Sequence, residues 1–215
     1  MSLTSVVFNP IKTHTATVVF SHGLGDSGDG IAPAFLSLSK MLGHVKFIFP
    51  NAPSRPITVN GGMIMPAWYD ISSLGENIEE INEDEEGMLN SVRGINGIIR
   101  DEIDSGIPSN RIVIGGFSQG SAMALLVGLT SEYRFAGIAV LSGYLPLRNK
   151  IFKIKNYDNV TTGAEKLVEL AEELGSDDNI TAMVIRLPAW GTKMPDHTKA
   201  LREYRLENDK PAMKR

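Results

Sequence analysis

Cysteine is absent from the 215 residues of this chain. Disulfides, cysteine nucleophiles and thiolate metal sites are therefore excluded, and the absence fits a protein of the reducing cytosol. No apolar run approaches the length of about 20 residues that a membrane-spanning helix needs. The N-terminal residues MSLTSVVF lack the basic and apolar regions of a secretory signal. We therefore expect a cytoplasmic location, with the nucleus as a second one, and no stable insertion into membranes.

An excess of charge of either sign is also missing. The net charge is −4 and the pI is about 5.6, which gives no electrostatic reason to expect a nucleic-acid partner. Lysine and arginine are absent between Pro56 and Val92, whereas seven acidic residues lie between Glu76 and Glu86. Acidic residues stabilise the N-terminus of a following helix, so we favour a solvated loop over a partner-binding patch.

Strand-like and helix-like segments alternate along the chain. The predicted strands are Ala16–Phe20, Val45–Phe49, Arg111–Gly115, Ala136–Ser142 and Ile180–Leu187. The predicted helices are Ile31–Leu42, Glu83–Asp104, Gln119–Leu129 and Thr162–Leu174. This alternation predicts an α/β fold with a mostly parallel sheet and helices on both faces.

One pentapeptide, Gly116-Phe117-Ser118-Gln119-Gly120, lies between a predicted strand and a predicted helix. In that context G-x-S-x-G is typical of a nucleophile elbow, a strained turn that lifts the serine hydroxyl above the sheet. The helix N-terminus behind the serine favours developing negative charge. The alternative is a glycine-rich turn with an idle serine.

A second glycine-rich segment, Ser21 to Gly28, follows the strand Ala16–Phe20. In an α/β-hydrolase, the N–H of the residue after the nucleophile pairs with one from such an early loop to form the oxyanion hole, which would make Leu24 and Gln119 the donors here. Phosphate binding is the alternative. The segment lacks the lysine of a Walker loop, and as a G-x-G-x-x-G dinucleotide fingerprint it lacks a separate substrate domain.

Five motifs together resemble the acyl-protein thioesterase / lysophospholipase / carboxylesterase family, and they occur in that family's order up to about Ile151. They are FSHGLGD (20–26), PNAP (50–53), MPAWYD (65–70), GGFSQG (115–120) and LSGYLP (141–146).

The resemblance implies an α/β-hydrolase fold and a serine hydrolase of lipid metabolism that uses no cofactor and no metal. Its substrates would be S-acylated proteins, palmitoylated ones above all, and lysophospholipids. It also implies Ser118 as the nucleophile and the backbone N–H groups of Leu24 and Gln119 as oxyanion donors. Trp68 and the loop Ile57–Met65 would lie near the acyl channel, although ordinary packing explains apolar side chains equally well.

Beyond Ile151 the family's G-D-x-D acid motif and G-x-x-H base motif are missing. Residues 161–181 instead resemble the last helix and strand of PP2C-type metal-dependent phosphatases, with Asp178 in the place of a metal ligand. One carboxylate does not hold a dimetal centre, so we expect no phosphatase activity. We predict a hydrolase core over 1–155, a phosphatase-like segment over 156–187 and a polar, poorly ordered tail over 188–215. The sheet would then be truncated or altered at its last strands.

The general base has only weak candidates. We expect the strand Ile180–Leu187 to lie beside Ala136–Ser142 in a parallel crossover. Asp158 and His197 would then fall at the end of the sheet that carries Ser118, and Asp177 and Asp178 at the opposite end. His14, His22 and His44 are weaker as bases, and His22 is better suited to shaping the oxyanion loop. The alternative function is therefore a catalytically impaired relative that only binds acylated ligands. Nothing in the sequence indicates an oligomeric state.

Overall fold

The computed structural model describes residues 3–73, 83–148 and 150–151, together with the main chain of 182–185. Its strands are β1 (Ser5–Phe8), β2 (Ala16–Ser21), β3 (Val45–Pro50), β4 (Ser54–Ile57), β5 (Met63–Pro66), β6 (Ile112–Phe117), β7 (Gly137–Leu141) and β8 (Ala182–Ile185). Its α-helices are α1 (Gly28–Ile31), α2 (Leu36–Met41), α3 (Glu85–Asp104) and α4 (Gln119–Thr130), and short 3₁₀ turns cover Ala32–Phe35, Thr58–Asn60 and Ser109–Arg111. The predicted helix Thr162–Leu174 and the predicted tail 188–215 lie outside the described residues.

Six of these strands form one sheet in the order β1-β3-β2-β6-β7-β8. The four central strands, β3, β2, β6 and β7, run parallel, as predicted. Ser21 pairs with Gly116 and Phe117 pairs with Leu141, so β2, β6 and β7 all end along one side of the sheet. We call this side the carboxyl edge, and in open parallel sheets it is the side where ligands bind.

Apolar side chains cover both faces of the sheet. On one face Val19, Ile48 and Ile114 pack in a cluster with buried residues of α3 and α4. On the other face Phe20, Phe47 and Phe49 pack with the segment that contains Ala32 and Phe35. Strands that are covered on both sides read as continuous apolar runs, which is why the sequence predicted the central strands well.

Helix α3 shows why the acidic segment precedes it. The side chain of Asp84 caps the helix and accepts a hydrogen bond from the Gly87 N–H at 2.9 Å. Glu85 and Glu86 lie in the first turn, where the positive end of the helix dipole stabilises carboxylates. The predicted role of these three acidic residues is therefore confirmed, whereas residues 76–82 lie outside the described part of the chain.

The predicted single helix Ile31–Leu42 is wrong in detail. Helix α1 begins at Gly28, because the Ser27 hydroxyl accepts a hydrogen bond from the Gly30 N–H at 3.1 Å. Pro33 lies in the 3₁₀ turn that follows α1. Proline has no N–H to donate to the carbonyl four residues earlier, which explains why the helical path is interrupted before α2.

The predicted loop Ile57–Met65 is also more regular than expected. Strands β4 and β5 pair antiparallel, with Ile57 opposite Met63 and Ser54 opposite Pro66, so these residues form the end of a hairpin. The 3₁₀ turn Thr58–Asn60 and two glycines with positive φ, Gly61 and Gly62, close the hairpin.

The direction of the last strand differs from the prediction. β8 lies beside β7, as expected, but the two strands are antiparallel, with Ala182 opposite Leu141 and Ile185 opposite Ile138. A parallel crossover is therefore excluded for these strands. β8 begins at the carboxyl edge and runs away from it, which reverses the polarity on which His197 was preferred over Asp177 and Asp178. The expected position of Asp158 rests on its following β7 and does not depend on this direction. These four residues themselves lie outside the described part of the chain.

Within the described residues, no helix combines the length and the apolar character that crossing a bilayer requires.

Candidate active site

Ser118 occupies the turn between β6 and α4. Its backbone dihedral angles are φ 51° and ψ −119°, a left-handed conformation that side-chain-bearing residues rarely adopt. Hydrogen bonds hold the residue in place: its N–H donates to the Leu141 carbonyl at 2.8 Å, and its carbonyl accepts from the N–H of Ser121 at 3.0 Å and of Ala122 at 3.2 Å. The Ser121 hydroxyl donates to the same carbonyl at 2.6 Å. The predicted strained turn at Ser118 is therefore present.

The glycines on either side of Ser118 allow the close packing of the turn. A Cβ atom on Gly116 would lie 2.2 Å from the carbonyl carbon of Gly120. A Cβ atom on Gly120 would lie 2.2 Å from the carbonyl oxygen of Ser21, at the end of β2. Both distances are shorter than any real Cβ contact, so only glycine fits at either position. The close approach brings α4 against the end of β2.

The loop after β2 faces the Ser118 side chain. A Cβ atom on Gly23 would lie 3.5 Å from the Cβ of Ser118 and 3.2 Å from the ring of Phe117. Gly25, two residues further, donates its N–H to the carbonyl of Pro66 at 2.8 Å, which joins this loop to the β4–β5 hairpin. Leu24 therefore lies in a loop that is held between the hairpin and the serine.

The N–H groups of the two candidate oxyanion donors, Leu24 and Gln119, have no acceptor within the described part of the chain. Gln119 is the first residue of α4, where the helix leaves its N–H groups without an acceptor inside the helix. Unsatisfied N–H groups beside a serine are what stabilisation of a tetrahedral oxyanion requires.

His22 is buried beside this loop and cannot act as the base. Its Nδ1–H donates to the Gly23 carbonyl at 2.7 Å, and its Nε2 accepts the Ala52 N–H at 3.0 Å. Both ring nitrogens are therefore used, and the bonds require the neutral ring with the proton on Nδ1. Burial lowers the pKa of His22, which keeps the ring neutral at physiological pH.

His14, His44 and Tyr144 are also unsuited to act as the base. Among the described residues, no group makes a hydrogen bond with the Ser118 hydroxyl. His14 contacts Thr17 at the amino end of β2 at 3.0 Å, and His44 directly precedes β3, so both lie at the opposite side of the sheet. Tyr144 follows β7, but burial raises its pKa above the ordinary value of 10.0. The base is therefore not among these groups, and Asp158 and His197 remain predictions.

Trp68 is fully buried and belongs to the main apolar cluster rather than to an open channel. Its indole N–H donates to the His22 carbonyl at 2.8 Å, and its ring lies 5.2 Å from the His22 ring. Of the two interpretations that the sequence left open, packing is therefore the observed one for Trp68. Sequence reasoning missed its hydrogen bonds, because the partners are 46 and 51 residues away along the chain.

Apolar side chains are exposed on Phe117, which directly precedes the serine, and on the β4–β5 hairpin. Phe117 is 43% exposed and contacts the loop that carries Gly23. Met63 and Ile64, near the end of the β4–β5 hairpin, are 63% and 72% exposed. The sulfur of Met65 would contact a Cβ atom on Gly25 at 3.7 Å, so the hairpin lies against the oxyanion loop. The rim of the candidate site is apolar on this side.

No group of three or more metal-binding side chains occurs among the described residues.

Comparisons with known proteins agree with this geometry. The Phospholipase/Carboxylesterase family of α/β-hydrolases matches residues 3–172, beyond the point near Ile151 where the motif resemblance ends. The chain is 53% identical over 148 residues to acyl-protein thioesterase 1 of Schizosaccharomyces pombe and 40% identical over 206 residues to that of Emericella nidulans. These alignments cover 69% and 83% of this chain, and 64% and 84% of the relatives. The chain thus spans less than two thirds of the fission-yeast protein.

A solved structure gives the same result. The crystal structure of Zea mays acyl-protein thioesterase 2 superimposes with a TM-score of 0.57 and 31% sequence identity, over 70% of this chain and 66% of the maize chain. The parallel central sheet, the strained serine between β6 and α4 and the family match over residues 3–172 are mutually consistent. The chain belongs to the phospholipase/carboxylesterase family of α/β-hydrolases.

Proposed function

We propose that this chain is a serine hydrolase that removes long-chain acyl groups, palmitate above all, from S-acylated cysteines of proteins. Lysophospholipids and simple carboxylic esters would be secondary substrates. The single observation that supports the proposal best is the conformation of Ser118, held in a left-handed turn beside two N–H groups that no described residue uses. The relatives named acyl-protein thioesterase support the choice of substrate.

The reaction would be an acyl transfer to water in two steps. The Ser118 oxygen attacks the thioester carbonyl carbon, and the resulting oxyanion accepts hydrogen bonds from the N–H groups of Leu24 and Gln119. The C–S bond then breaks, the thiol leaves and the acyl group stays on Ser118. Water hydrolyses this acyl-enzyme and releases the fatty acid. A base must remove the proton from the Ser118 hydroxyl and later from the water.

Thioesters suit this site better than oxygen esters. A cysteine thiol has a pKa of about 8.5, so a thiolate leaves with little help from a general acid. An alkoxide leaving group depends much more on a proton donor. Phe117, next to Ser118, and Met63 and Ile64, on the hairpin that contacts the oxyanion loop, are exposed apolar side chains. A long acyl chain that covers them removes apolar surface from water, which favours its binding.

The alternative is a relative that binds acylated ligands but turns them over very slowly. The absence of the G-D-x-D and G-x-x-H motifs from the sequence favours it. Loss of the histidine of a serine–histidine–aspartate triad costs on the order of 10⁶ in kcat, and about 10³–10⁴-fold catalysis over water then remains from the oxyanion hole and binding. The two functions therefore differ by an easily measured factor.

A fluorophosphonate probe and an S-palmitoylated peptide distinguish the two functions. For the hydrolase, the probe labels the native chain, labelling is lost in Ser118→Ala, and thiol release from the peptide is lost in the same variant. The matched control is Ser105→Ala, which removes an exposed serine next to Glu102 and should be labelled like the native chain. A folded native chain that binds the peptide but releases no thiol and takes no label would support the alternative.

The base can be assigned with the same probe. We propose His197 and Asp158 as candidates, to be tested as His197→Ala and Asp158→Asn, with Asp177→Asn and Asp178→Asn added because β8 begins at the carboxyl edge. The variant that lacks the true base should be labelled several orders of magnitude more slowly than the native chain. Normal labelling of His197→Ala would assign the role to another group.

The organisation of the chain into three segments is also a proposal. We propose a hydrolase core over 1–155, a phosphatase-like segment over 156–187 and a tail over 188–215, in a cytoplasmic protein. The family match up to residue 172 overlaps the second segment, so the question is whether residues 156–187 contribute to the hydrolase fold. Limited proteolysis followed by probe labelling of the trimmed chain tests this: labelling that is lost with these residues would show that they contribute. Phosphate release that depends on Mn²⁺ or Mg²⁺ should be undetectable, and its detection would overturn the assignment of Asp178 as a residue without a metal.

A further inference from the structure

We propose that Trp68 is a positioning residue for the proposed hydrolysis, because it connects the two loops that carry the oxyanion donors. The connection consists of His22, Trp68 and the side chain of Gln119, and we call it the Trp68 bridge. The inference rests on the proposed function of Ser118. It gives the side chains of Gln119 and Trp68 a role beyond the backbone N–H of Gln119 and the packing of Trp68.

The first part of the bridge fixes the N–H of Gln119. Gln119 is only 3% exposed, and its side-chain amide makes two hydrogen bonds to one neighbouring segment. Its Oε1 accepts the Trp68 N–H at 2.8 Å, and its Nε2 donates to the Tyr69 carbonyl at 2.8 Å. The residue whose backbone N–H is a candidate donor is thus held by its own side chain to residues 68 and 69. The first turn of α4 cannot rotate without breaking these bonds.

The second part of the bridge fixes the N–H of Leu24. The Nδ1–H of His22 donates to the Gly23 carbonyl at 2.7 Å, and the N–H of Asp26 donates to the same carbonyl at 3.2 Å. Because the peptide bond is planar and trans, its C=O and its N–H point in opposite directions. A fixed Gly23 carbonyl therefore also fixes the direction in which the Leu24 N–H points.

Trp68 joins the two parts. Its backbone N–H donates to Gln119, and its indole N–H donates to the His22 carbonyl at 2.8 Å. Its own carbonyl accepts a hydrogen bond from the Ser91 hydroxyl, which fixes the segment to α3. The side chain is fully buried, so no water competes for these bonds. One residue therefore holds the positions of both donors relative to each other.

Such a connection is useful because oxyanion stabilisation depends on donors that are already in place. Donors that must move during the reaction lose part of their effect to reorganisation. Trp68→Phe keeps an aromatic ring in the core but removes the indole N–H, and Gln119→Met keeps the length of the side chain and the backbone N–H but removes the amide. Neither change removes an oxyanion donor, so a slower reaction would report on position alone.

The test measures the second-order rate constant of fluorophosphonate labelling together with the melting temperature. We expect each variant to react about tenfold more slowly than the native chain, which is less than the roughly 10²–10³-fold loss caused by removing a donor. Thiol release from a palmitoylated peptide should show a lower kcat with an unchanged KM. The matched control is Thr17→Val, which removes a buried hydrogen bond to Glu102 at the opposite end of β2. It should be destabilised but labelled at the native rate.

Combining the two substitutions tests whether they act through one connection. If they do, Trp68→Phe/Gln119→Met should react little more slowly than the slower single variant, because residues of one network are not additive. Multiplied losses would overturn the bridge, and so would labelling of either folded single variant at the native rate. If Trp68→Phe does not fold, Gln119→Met decides. Failure of the native chain to react would overturn the proposed function as well, whereas native labelling with unaffected variants would overturn the bridge alone.

Discussion

Replacing Ser118 by glycine is expected to stabilise the fold while it removes the nucleophile. The dihedral angles of Ser118, φ 51° and ψ −119°, are close to those of the first central position of a type II′ turn, about +60° and −120°. That position favours glycine, since a Cβ atom makes the conformation strained. The hydroxyl makes no hydrogen bond with the described residues, so its removal loses little.

The magnitude follows from two opposing terms. A residue held in such a conformation costs of order 1–3 kcal/mol, and this strain is relieved in Ser118→Gly. The added chain entropy of glycine in the unfolded state costs about 0.5–1 kcal/mol. The net gain is therefore centred near 1 kcal/mol, and for a chain of 215 residues this raises the Tm by about 2–4 °C.

Thermal and urea unfolding of the native chain, Ser118→Ala and Ser118→Gly test this prediction. Ser118→Ala removes the same hydroxyl but keeps the strain, so Ser118→Gly should melt above Ser118→Ala. Ser105→Gly and Ser105→Ala form the control pair, because Ser105 has a right-handed conformation with φ −76°. In that pair the alanine variant should be the more stable one. A Ser118→Gly chain that is no more stable than Ser118→Ala would refute the view that the serine is held under backbone strain.

Three further predictions concern the surroundings of the serine and the far side of the sheet. Gly120→Ala should destabilise the fold by about 1–3 kcal/mol or more and slow labelling, because the new Cβ would lie 2.2 Å from the Ser21 carbonyl oxygen. Denaturant unfolding measures the loss of stability, and the rate of probe labelling measures the loss of reactivity. Glu102→Gln should weaken the contact of the buried Glu102 carboxylate with the partly exposed Lys46 and lower stability by about 1–3 kcal/mol in urea unfolding, with labelling unchanged. The pKa of His22 in the folded state is lower than its ordinary value of 6.5, so as the pH falls the unfolded chain takes up the proton at a higher pH than the folded chain does. Stability should therefore decline as the pH falls below about 6.5, and less steeply in His22→Asn.

The central sheet and the serine turn were predictable because their signals are local. Strand β6 is a short apolar run, and the glycines around Ser118 follow it directly, so pattern and turn chemistry agree. The acidic start of α3 was predictable for the same reason, since Asp84 caps the helix through its near neighbour Gly87. The predicted positions of Leu24 and Gln119 also depended only on the order of strand, loop and helix.

Other features depend on contacts that the sequence does not encode locally. An apolar strand reads the same whether it runs parallel or antiparallel to its neighbour, so the direction of β8 was predicted wrongly. Strand β1 is short, and within the described residues it pairs with β3 alone, at an edge of the sheet, which leaves its sequence pattern weak. The apolar character of Trp68 fitted a channel as well as a core. Only its complete burial in the main apolar cluster, which depends on contacts with residues distant along the chain, distinguishes the two.

Mass spectrometry of the fluorophosphonate adduct tests the central claim most directly. The folded native chain should gain the mass of one phosphonyl group, and proteolytic mapping should place it on the Ser118 hydroxyl. An adduct on a different residue would contradict the assignment of Ser118 as the nucleophile, and so would a folded chain that stays unmodified at probe concentrations sufficient for an active serine hydrolase.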